Sequence, residues 1–321
     1  MQIIRDTSAI SPEPCVATIG FFDGVHSGHR YLIRQVKEIA TAKGLRSAIV
    51  TFPIHPRKVM AAEYRPELLT TPDEKIGLLS EINIDYCLML DFTPDISRLT
   101  AQDFMALLKE RYQVKCLVIG YDHRFGHNRS EGFEDYVCYG KAIGIEVIQA
   151  HASTNSITIG TDLNVPISSS LIRKLLHEGE AEVAARCLGY EYFLDGTVVG
   201  GYQVGRKIGF PTANLSVDDP DKLIPADGVY AVWVTFDKKT YMGMLNIGVR
   251  PTIDNGTNRT IEVHILHFHS DIYDKFIRLT FVKRTRPELK YSNIDDLIAQ
   301  LRKDAEETED ILCADAKSKR N

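Results

Sequence analysis

The sequence predicts two domains in tandem: a parallel α/β sheet covered by helices on both faces, followed by an antiparallel barrel or sandwich. Three observations carry this expectation. The chain has 321 residues, about twice the length of an ordinary domain. From residue 14 to about 150, short apolar runs alternate with helical patterns. After Tyr190 the helical patterns give way to Thr-, Val-, Tyr- and Phe-rich runs separated by Gly, Pro, Asn and Asp.

In the first half, CVATIGFF, RSAIVTF, DYCLML, KCLVIGY and IEVIQA read as buried strands. Helices are expected near 28–43, 73–83, 100–112 and 131–143. In the first of these, Tyr31, Leu32, Ile33, Val36, Ile39 and Ala40 form an apolar stripe at helical spacing. Thr100 and Asp103 resemble the two ends of a capping box. A sheet of this kind binds ligands at the carboxyl ends of its strands. Residues 168–190 predict two short helices parted by Gly179, and the domain boundary is expected near 183–190, giving domains 1–185 and 186–321. YFLDGTVVGG, GVYAVWVTF, TYMGMLNIGV, TIEVHILHF and FIRLTFV are the strands of the second half. Residues 293–310 return to helical periodicity through Leu297, Ile298 and Leu301, and the polar tail ADAKSKRN is expected to fray.

Composition narrows the function classes. Thirty-eight basic against 43 acidic residues leave a net charge of −5, which argues against nucleic-acid binding by bulk electrostatics. No apolar run approaches the roughly 18–20 residues of a membrane helix. The N-terminal MQIIRDTSAISPEPC has no continuous apolar signal core, so a cytoplasmic location and no membrane partner are expected. The six cysteines show no CxxC spacing, and several lie in apolar runs, where they read as small buried hydrophobes.

Two segments carry chemistry in the first half. T-I-G-F-F-D-G-V-H-S-G-H, residues 18–29, closes the first strand and opens the first helix. A helix start offers unpaired N–H groups and a positive dipole end, which favour phosphate. Gly24 and Gly28 let the backbone approach a ligand, and His26 and His29, three apart, project toward one place. Two imidazoles there suit nucleotidyl transfer, in which hydrogen-bond donors stabilise the charge developing on an α-phosphate. The bland alternative is one helix-capping and one surface histidine. Gly120-Tyr-Asp-His-Arg-Phe-Gly126 follows another strand end, where Asp122 is a candidate acceptor for a base, ribose or flavin group. Ser168, Ser169 and Arg173 place hydroxyls and a guanidinium at a later helix start, a suitable grip on β- and γ-phosphates. Arg57, in Thr51-Phe-Pro-Ile-His-Pro-Arg57, is a further phosphate candidate at a strand end.

In the second half, Gly200, Gly201, Gly205 and Gly209 fall within ten residues, with Arg206 and Lys207 among them. Such a loop exposes N–H groups to phosphate, and Thr212 and Asn214 follow as oxygen donors for magnesium and its nucleotide. An ordinary hairpin turn is the competing reading. Glu262 lies in a strand with Thr260 and His264 on its own side, read here as aimed into a barrel mouth and able to take a hydroxyl proton.

The combination of H-x-G-H, GxDxRFG and SSSxIR resembles the nucleotidyltransferase superfamily, with its Rossmann-like sheet. In particular it resembles the FAD synthetase half of the bacterial bifunctional riboflavin kinase/FMN adenylyltransferase family. GRKIGFPTANL, IPADGVYAV, NIGVRPT and IEVHIL resemble the riboflavin kinase half, a small barrel, in that family's order. The resemblance implies ATP as co-substrate, Mg²⁺ as cofactor, and riboflavin, FMN and FAD as partners. It implies that His26, Gly28 and His29 meet ATP phosphates, that Ser168, Ser169 and Arg173 hold the phosphate tail, and that Asp122 lies near the flavin. Gly205, Arg206, Gly209 and Asn214 would serve the second nucleotide, Thr212 the metal, Glu262 the base role, and Arg286 and Glu288 the flavin. Arg250 stands where relatives commonly carry Asn, and Asp274 stands where they carry Gly. Two other readings compete: an adenylyltransferase for another phosphate ester, with an accessory barrel, and a flavin-binding module without catalysis. The catalytic groups of both halves disfavour the second of these.

Overall fold

The computed structural model describes all residues except 6–11, 62, 122, 128, 129, 153–155, 160, 161, 202, 203, 252–256, 320 and 321. Asp122 and Thr252 therefore lie outside the described residues. The chain divides into two compact units, Met1–Ser169 and Ser170–Asn321.

The first unit holds six parallel strands: β1 (Gln2–Arg5), β2 (Cys15–Ile19), β3 (Arg46–Thr51), β4 (Tyr86–Met89), β5 (Val114–Ile119) and β6 (Glu146–Gln149). Their order is β1-β4-β3-β2-β5-β6, with every pairing parallel. β2 and β4 are buried along their whole length, as expected for strands covered on both faces. The connections are α1 (Ser27–Lys43), α2 (Pro56–Met60), α3 (Pro72–Glu81), α4 (Pro94–Ser97), α5 (Ala101–Tyr112) and α6 (Phe133–Ile143). Val36 and Ala40 of α1 pack on Val16, Cys116 and Val118. Phe104, Met105 and Leu108 of α5 and Tyr136 of α6 pack in a separate cluster with Ala17, Leu117 and Ile119. The alternation of strand residues between these clusters places helices on both faces. α3 begins with a complete capping box, Thr71 Oγ1 accepting from the Glu74 N–H and Glu74 Oε2 from the Thr71 N–H. At α5, Thr100 caps Asp103, but the Asp103 carboxylate accepts from the Thr100 hydroxyl. A short antiparallel pair, β7 (Ser156–Ile159) and β8 (Asp162–Pro166), precedes α7 (Ser169–Glu178) and α8 (Ala181–Leu188). Gly179, at φ +81°, separates these two helices, as the sequence predicts.

The second unit is a closed antiparallel barrel of six strands, β9 (Phe193–Val199), β10 (Ala213–Ser216), β11 (Gly228–Phe236), β12 (Lys239–Pro251), β13 (Thr257–Ile265) and β14 (Phe276–Arg286). A single turn of helix, α9 (Val204–Lys207), lies between β9 and β10. β10 pairs with β9 on one side and β13 on the other, and so closes the barrel. The barrel form thus resolves the barrel-or-sandwich alternative. The expected frayed tail is instead helical: α10 (Ile294–Ser318) runs on because Trp233 Nε1 donates to Asp315 at 2.7 Å and Lys319 pairs with both Asp315 and Glu191. Cys15, Cys87, Cys116 and Cys187 are buried as expected, and burial pushes the Cys15 thiol up to about 12, whereas Cys138 is exposed.

Asp274 adopts φ +61°, the left-handed region that favours glycine, and its N–H donates to the Val198 carbonyl. The turn therefore demands that conformation whatever residue occupies it. Asp274→Gly is expected to stabilise the barrel by about 1 kcal/mol, read as a higher denaturant midpoint at unchanged slope.

Candidate functional site

In the first unit the strand order reverses at β2, which lies between β3 and β5. The crevice beyond the carboxyl end of that strand is the ligand position of an open parallel sheet. Residues 20–28 fill it. Phe22 and Val25 sit at positive φ, +55° and +36°, around the turn Asp23–Val25. Asp23, 4% exposed, holds the turn down: its carboxylate accepts from the N–H groups of Leu69 (3.0 Å) and Thr70 (3.1 Å). Gly24 N–H donates to Thr70 Oγ1. Ser169 Oγ donates to the Asp23 carbonyl at 2.9 Å, so the serine-rich segment reaches this turn. Ser168 is exposed, and Arg173 is half-buried one turn along α7.

His26 is the N-cap of α1, its Nδ1 accepting from the His29 N–H at 3.3 Å. An accepting nitrogen bears no proton, so neutral His26 carries its proton on Nε2. The two imidazoles stack, ring centroids 3.6 Å apart and 20° from parallel. Two protonated rings at that separation would repel by about 5 kcal/mol at an effective dielectric of 20. Burial holds the His29 pKa well below the ordinary imidazole range, and repulsion by a protonated His26, by Lys75 and by a protonated His123 adds to this. His29 Nδ1 is buried without a hydrogen-bond partner among the described residues. A Cβ at Gly28 would come within 3.1 Å of the His26 ring, so this glycine leaves room for the capping imidazole. The capping half of the bland reading is correct, but the partner ring is stacked on the cap and is not a surface histidine.

The loop after β5 is anchored behind this pair. Tyr136 stacks on Phe125 at 4.3 Å, and its hydroxyl accepts from the Phe125 N–H. Beyond β3, His55 caps α2 through Arg57 N–H and meets the edge of Phe21 at 4.7 Å. Arg57 lies 6.0 Å from the Tyr64 ring. Sequence reasoning missed Lys75 and the structural role of Asp23. Lys75 is 2% exposed on α3, and its ammonium donates to Phe52 O (2.9 Å), Phe21 O (3.1 Å) and Thr51 Oγ1 (3.3 Å). Burial lowers its pKa to about 8 despite the nearby Asp23 carboxylate.

In the barrel, Asn214 and Glu262 are direct cross-strand partners, and Thr212 just before β10 donates its hydroxyl to Glu262 Oε2 at 3.3 Å. The sequence expectation needs one correction. Ile261, Val263 and Ile265 are buried in the barrel, so Glu262 and His264 project from the opposite, outer side of β13. His264 Nδ1 donates to the Pro211 carbonyl at 2.8 Å, and its ring meets Phe210 edge-on, which fixes the segment leading to Thr212. Gly205 is required by close packing, because a Cβ there would lie 2.2 Å from the Phe210 carbonyl. Gly209 adopts φ +86°. Arg206, Pro211 and Thr212 line a cleft of about 420 Å³ that Asp271 and Tyr273 border. Asn214 lies against Gly201, where a Cβ would stand 2.2 Å from its amide nitrogen.

Arg286 ends β14 paired with a buried carboxylate. Its guanidinium donates to the Asp304 carboxylate from Nε and Nη2, the latter at 2.6 Å, and Asp304 is 1% exposed. Nη1 donates to the Pro287 carbonyl. The exposed Glu288 lies against Gly248.

The first unit thus presents a histidine-bearing helix start at the edge of a parallel sheet, and the second a threonine–carboxylate pair beside a glycine-rich loop on a closed barrel. The FAD synthetase family profile matches residues 8–161, and the riboflavin kinase profile matches 188–312. The chain belongs to the bifunctional riboflavin kinase/FMN adenylyltransferase family. A relative of that description from Listeria monocytogenes is 36% identical over 295 residues, covering 91% of each chain. One from Escherichia coli (strain K12) is 37% identical over 309 residues, covering 95% of this chain and 96% of its own. A solved structure from Streptococcus pneumoniae, described as a macrolide-efflux protein, superposes with a TM-score of 0.83 at 31% identity, covering 96% of this chain and 98% of its own. Among the described residues, no helix of this chain is long and apolar enough to cross a membrane.

The unfolded chain takes up a proton on His29 near the ordinary value of 6.5, and the folded chain resists it. The His29 contribution to stability is therefore complete above pH 6.5 and falls as the pH drops below it. Ring NMR is expected to show a His29 midpoint below 6.5; a midpoint at or above that value would refute a buried neutral imidazole.

Proposed function

We propose that each half of the chain carries one step of a two-step conversion. The enzyme phosphorylates riboflavin with ATP to give FMN and ADP, then transfers AMP from a second ATP to FMN, giving FAD and pyrophosphate. The observation that carries this reading is the presence of two separate phosphate-suited centres in one chain that matches both families. We assign adenylyl transfer to residues 1–185 and the kinase to 186–321, with α7 and α8 as the connecting segment.

In the first step the ribityl 5′-hydroxyl attacks the γ-phosphorus. Its proton passes to the Glu262 carboxylate and ADP leaves. The Thr212 hydroxyl donates a hydrogen bond to Glu262, which turns its oxygen lone pairs outward, and Asn214 adds an amide beside them. These hard oxygen donors fit Mg²⁺. Among the described residues no cluster of three or more His, Cys, Asp or Glu could build a cage for a metal, so phosphates and water would complete the coordination. Bound there, Mg²⁺ would neutralise phosphate charge. Gly205, Arg206 and Gly209 serve the nucleotide phosphates. Arg286 and Glu288 border the flavin, Arg286 through the strand end that its Asp304 pair holds.

In the second step an FMN phosphate oxygen attacks the α-phosphorus of ATP, and pyrophosphate leaves. The α1 amides and the Nε2–H of His26 donate to the phosphate oxygens as charge develops, with neutral His29 stacked behind. Gly28 keeps the backbone close. Ser168, Ser169 and Arg173 hold the pyrophosphate, and Asp122 serves the flavin side. Chemistry on soluble flavins with cellular ATP suits the cytoplasm.

Two substitutions test the division. His29→Ala should lower FAD formation from FMN by on the order of 100-fold and leave riboflavin phosphorylation intact. Glu262→Gln should do the reverse, losing on the order of 100-fold in FMN formation. Chromatography of flavins after incubation with Mg-ATP reads both. Loss of both activities in either variant, or of neither, would refute the assignment.

A further inference from the structure

Lys75 is the most deeply buried charge in the first unit that the two chemical steps leave unused. Its three ammonium protons have three acceptors, the Phe21 carbonyl, the Phe52 carbonyl and the Thr51 hydroxyl. Thr51 Oγ1 in turn donates to the Phe21 carbonyl at 3.2 Å. Phe21 opens the turn after β2, and Phe52 opens the loop after β3, so one side chain joins the two loops that flank the crevice. The ammonium also lies 4.1 Å from the centroid of the Phe21 ring. α3 is held in place by its capping box, and the residues just before it, Leu69 and Thr70, bind Asp23. A single stretch, residues 69–75, thus grips the histidine turn twice, once through a buried anion and once through a buried cation. Packing alone does not explain the cation: a methionine would fill the space without desolvating a charge.

We propose that Lys75 is a positioning residue for adenylyl transfer, fixing the turn that carries His26 and His29 against the loop that carries His55 and Arg57. The proposal rests on the reading of that turn as the ATP phosphate site. Lys75 itself touches neither ATP nor flavin. It acts through the Phe21 and Phe52 carbonyls, and its charge also disfavours a proton on His29. The expected kinetic signature is loss of kcat with little change in the KM for ATP, because displaced loops still bind the nucleotide but misplace the α-phosphate.

The test uses the full chain. Lys75→Met should lower kcat for FAD formation by on the order of 100-fold, move the KM for ATP by less than about threefold, and shift the His29 NMR midpoint upward. Lys75→Arg, which retains the charge, should return the His29 midpoint toward its wild-type position. Thr51→Val removes one acceptor and should lower kcat roughly three- to tenfold, with no added loss when combined with Lys75→Met. Riboflavin phosphorylation should be unchanged throughout. Wild-type FAD formation by Lys75→Met, where His29→Ala is inactive, would overturn the role of Lys75 and leave the phosphate site standing. Wild-type rates in both would overturn the phosphate site and the proposal with it. Should Lys75→Met fail to fold, Thr51→Val decides: an unchanged kcat overturns the proposal, and a lowered kcat at unchanged Tm supports it.

Discussion

The first unit depends on the reversal of strand order at β2. A parallel sheet must leave a crevice where its connections part to opposite faces, and here the parting falls between β3 and β5. The chain leaving β2 must turn at once into α1, and it does so through strained backbone at Phe22 and Val25. Strain of that kind persists only where the surroundings over-determine it. Thr70 and Lys75 from one other segment and Ser169 from a second supply that determination, the first also through the Asp23 carboxylate within the turn. The result is a rigid frame around a helix start whose amides and imidazoles face the crevice.

The barrel solves a different problem with a related device. β10 is short, yet it closes the cylinder, and its register sets Asn214 opposite Glu262. Closure demands apolar residues inside, which sends the alternate residues of β13 outward. Polar chemistry is thereby placed on the wall beside a glycine-rich segment and not in the interior. His264 and Phe210 then fix the approach to Thr212. The Arg286–Asp304 pair performs the equivalent service at the far end of β14, binding α10 to the barrel through a buried carboxylate. Removing one member of such a pair strands the other, so it is a constraint on the fold before it is anything else.

Much of this was legible in the sequence. Strands with continuous apolar runs and helices with clear stripes fall where periodicity places them, and Gly179 divides α7 from α8. The His26–Gly28–His29 segment is local in the chain, and so are Thr212 and Asn214, which is why spacing alone singled them out. What escaped was set by long-range pairing. β1 and β10 are four residues each, too short to show a period, and Pro211 just before β10 and Asn214 within it give that stretch the composition of a loop. The outward direction of Glu262 is written in the pattern, since Ile261, Val263 and Ile265 are the apolar set of that strand. Asp23 and Lys75 carry no local signal: each takes its meaning from partners 20 or more residues away. The helical tail was missed for the same reason, because Trp233 and Glu191 hold it from distant strands and turns.

The cap on α1 has an evolutionary consequence. One nitrogen of His26 belongs to the helix, and in the function proposed above the other serves the ligand, so a single residue serves two masters. Serine or asparagine at that position would keep the helix start and forfeit the outward donor, whereas lysine or arginine would keep a donor and forfeit the acceptor. Neither exchange is neutral, and no other side chain presents an acceptor and a donor on opposite edges of one rigid ring. Drift at this position is therefore closed from both directions, and a lineage that lost the chemistry would be expected to reveal it first by relaxing this residue while the sheet beneath it stayed intact.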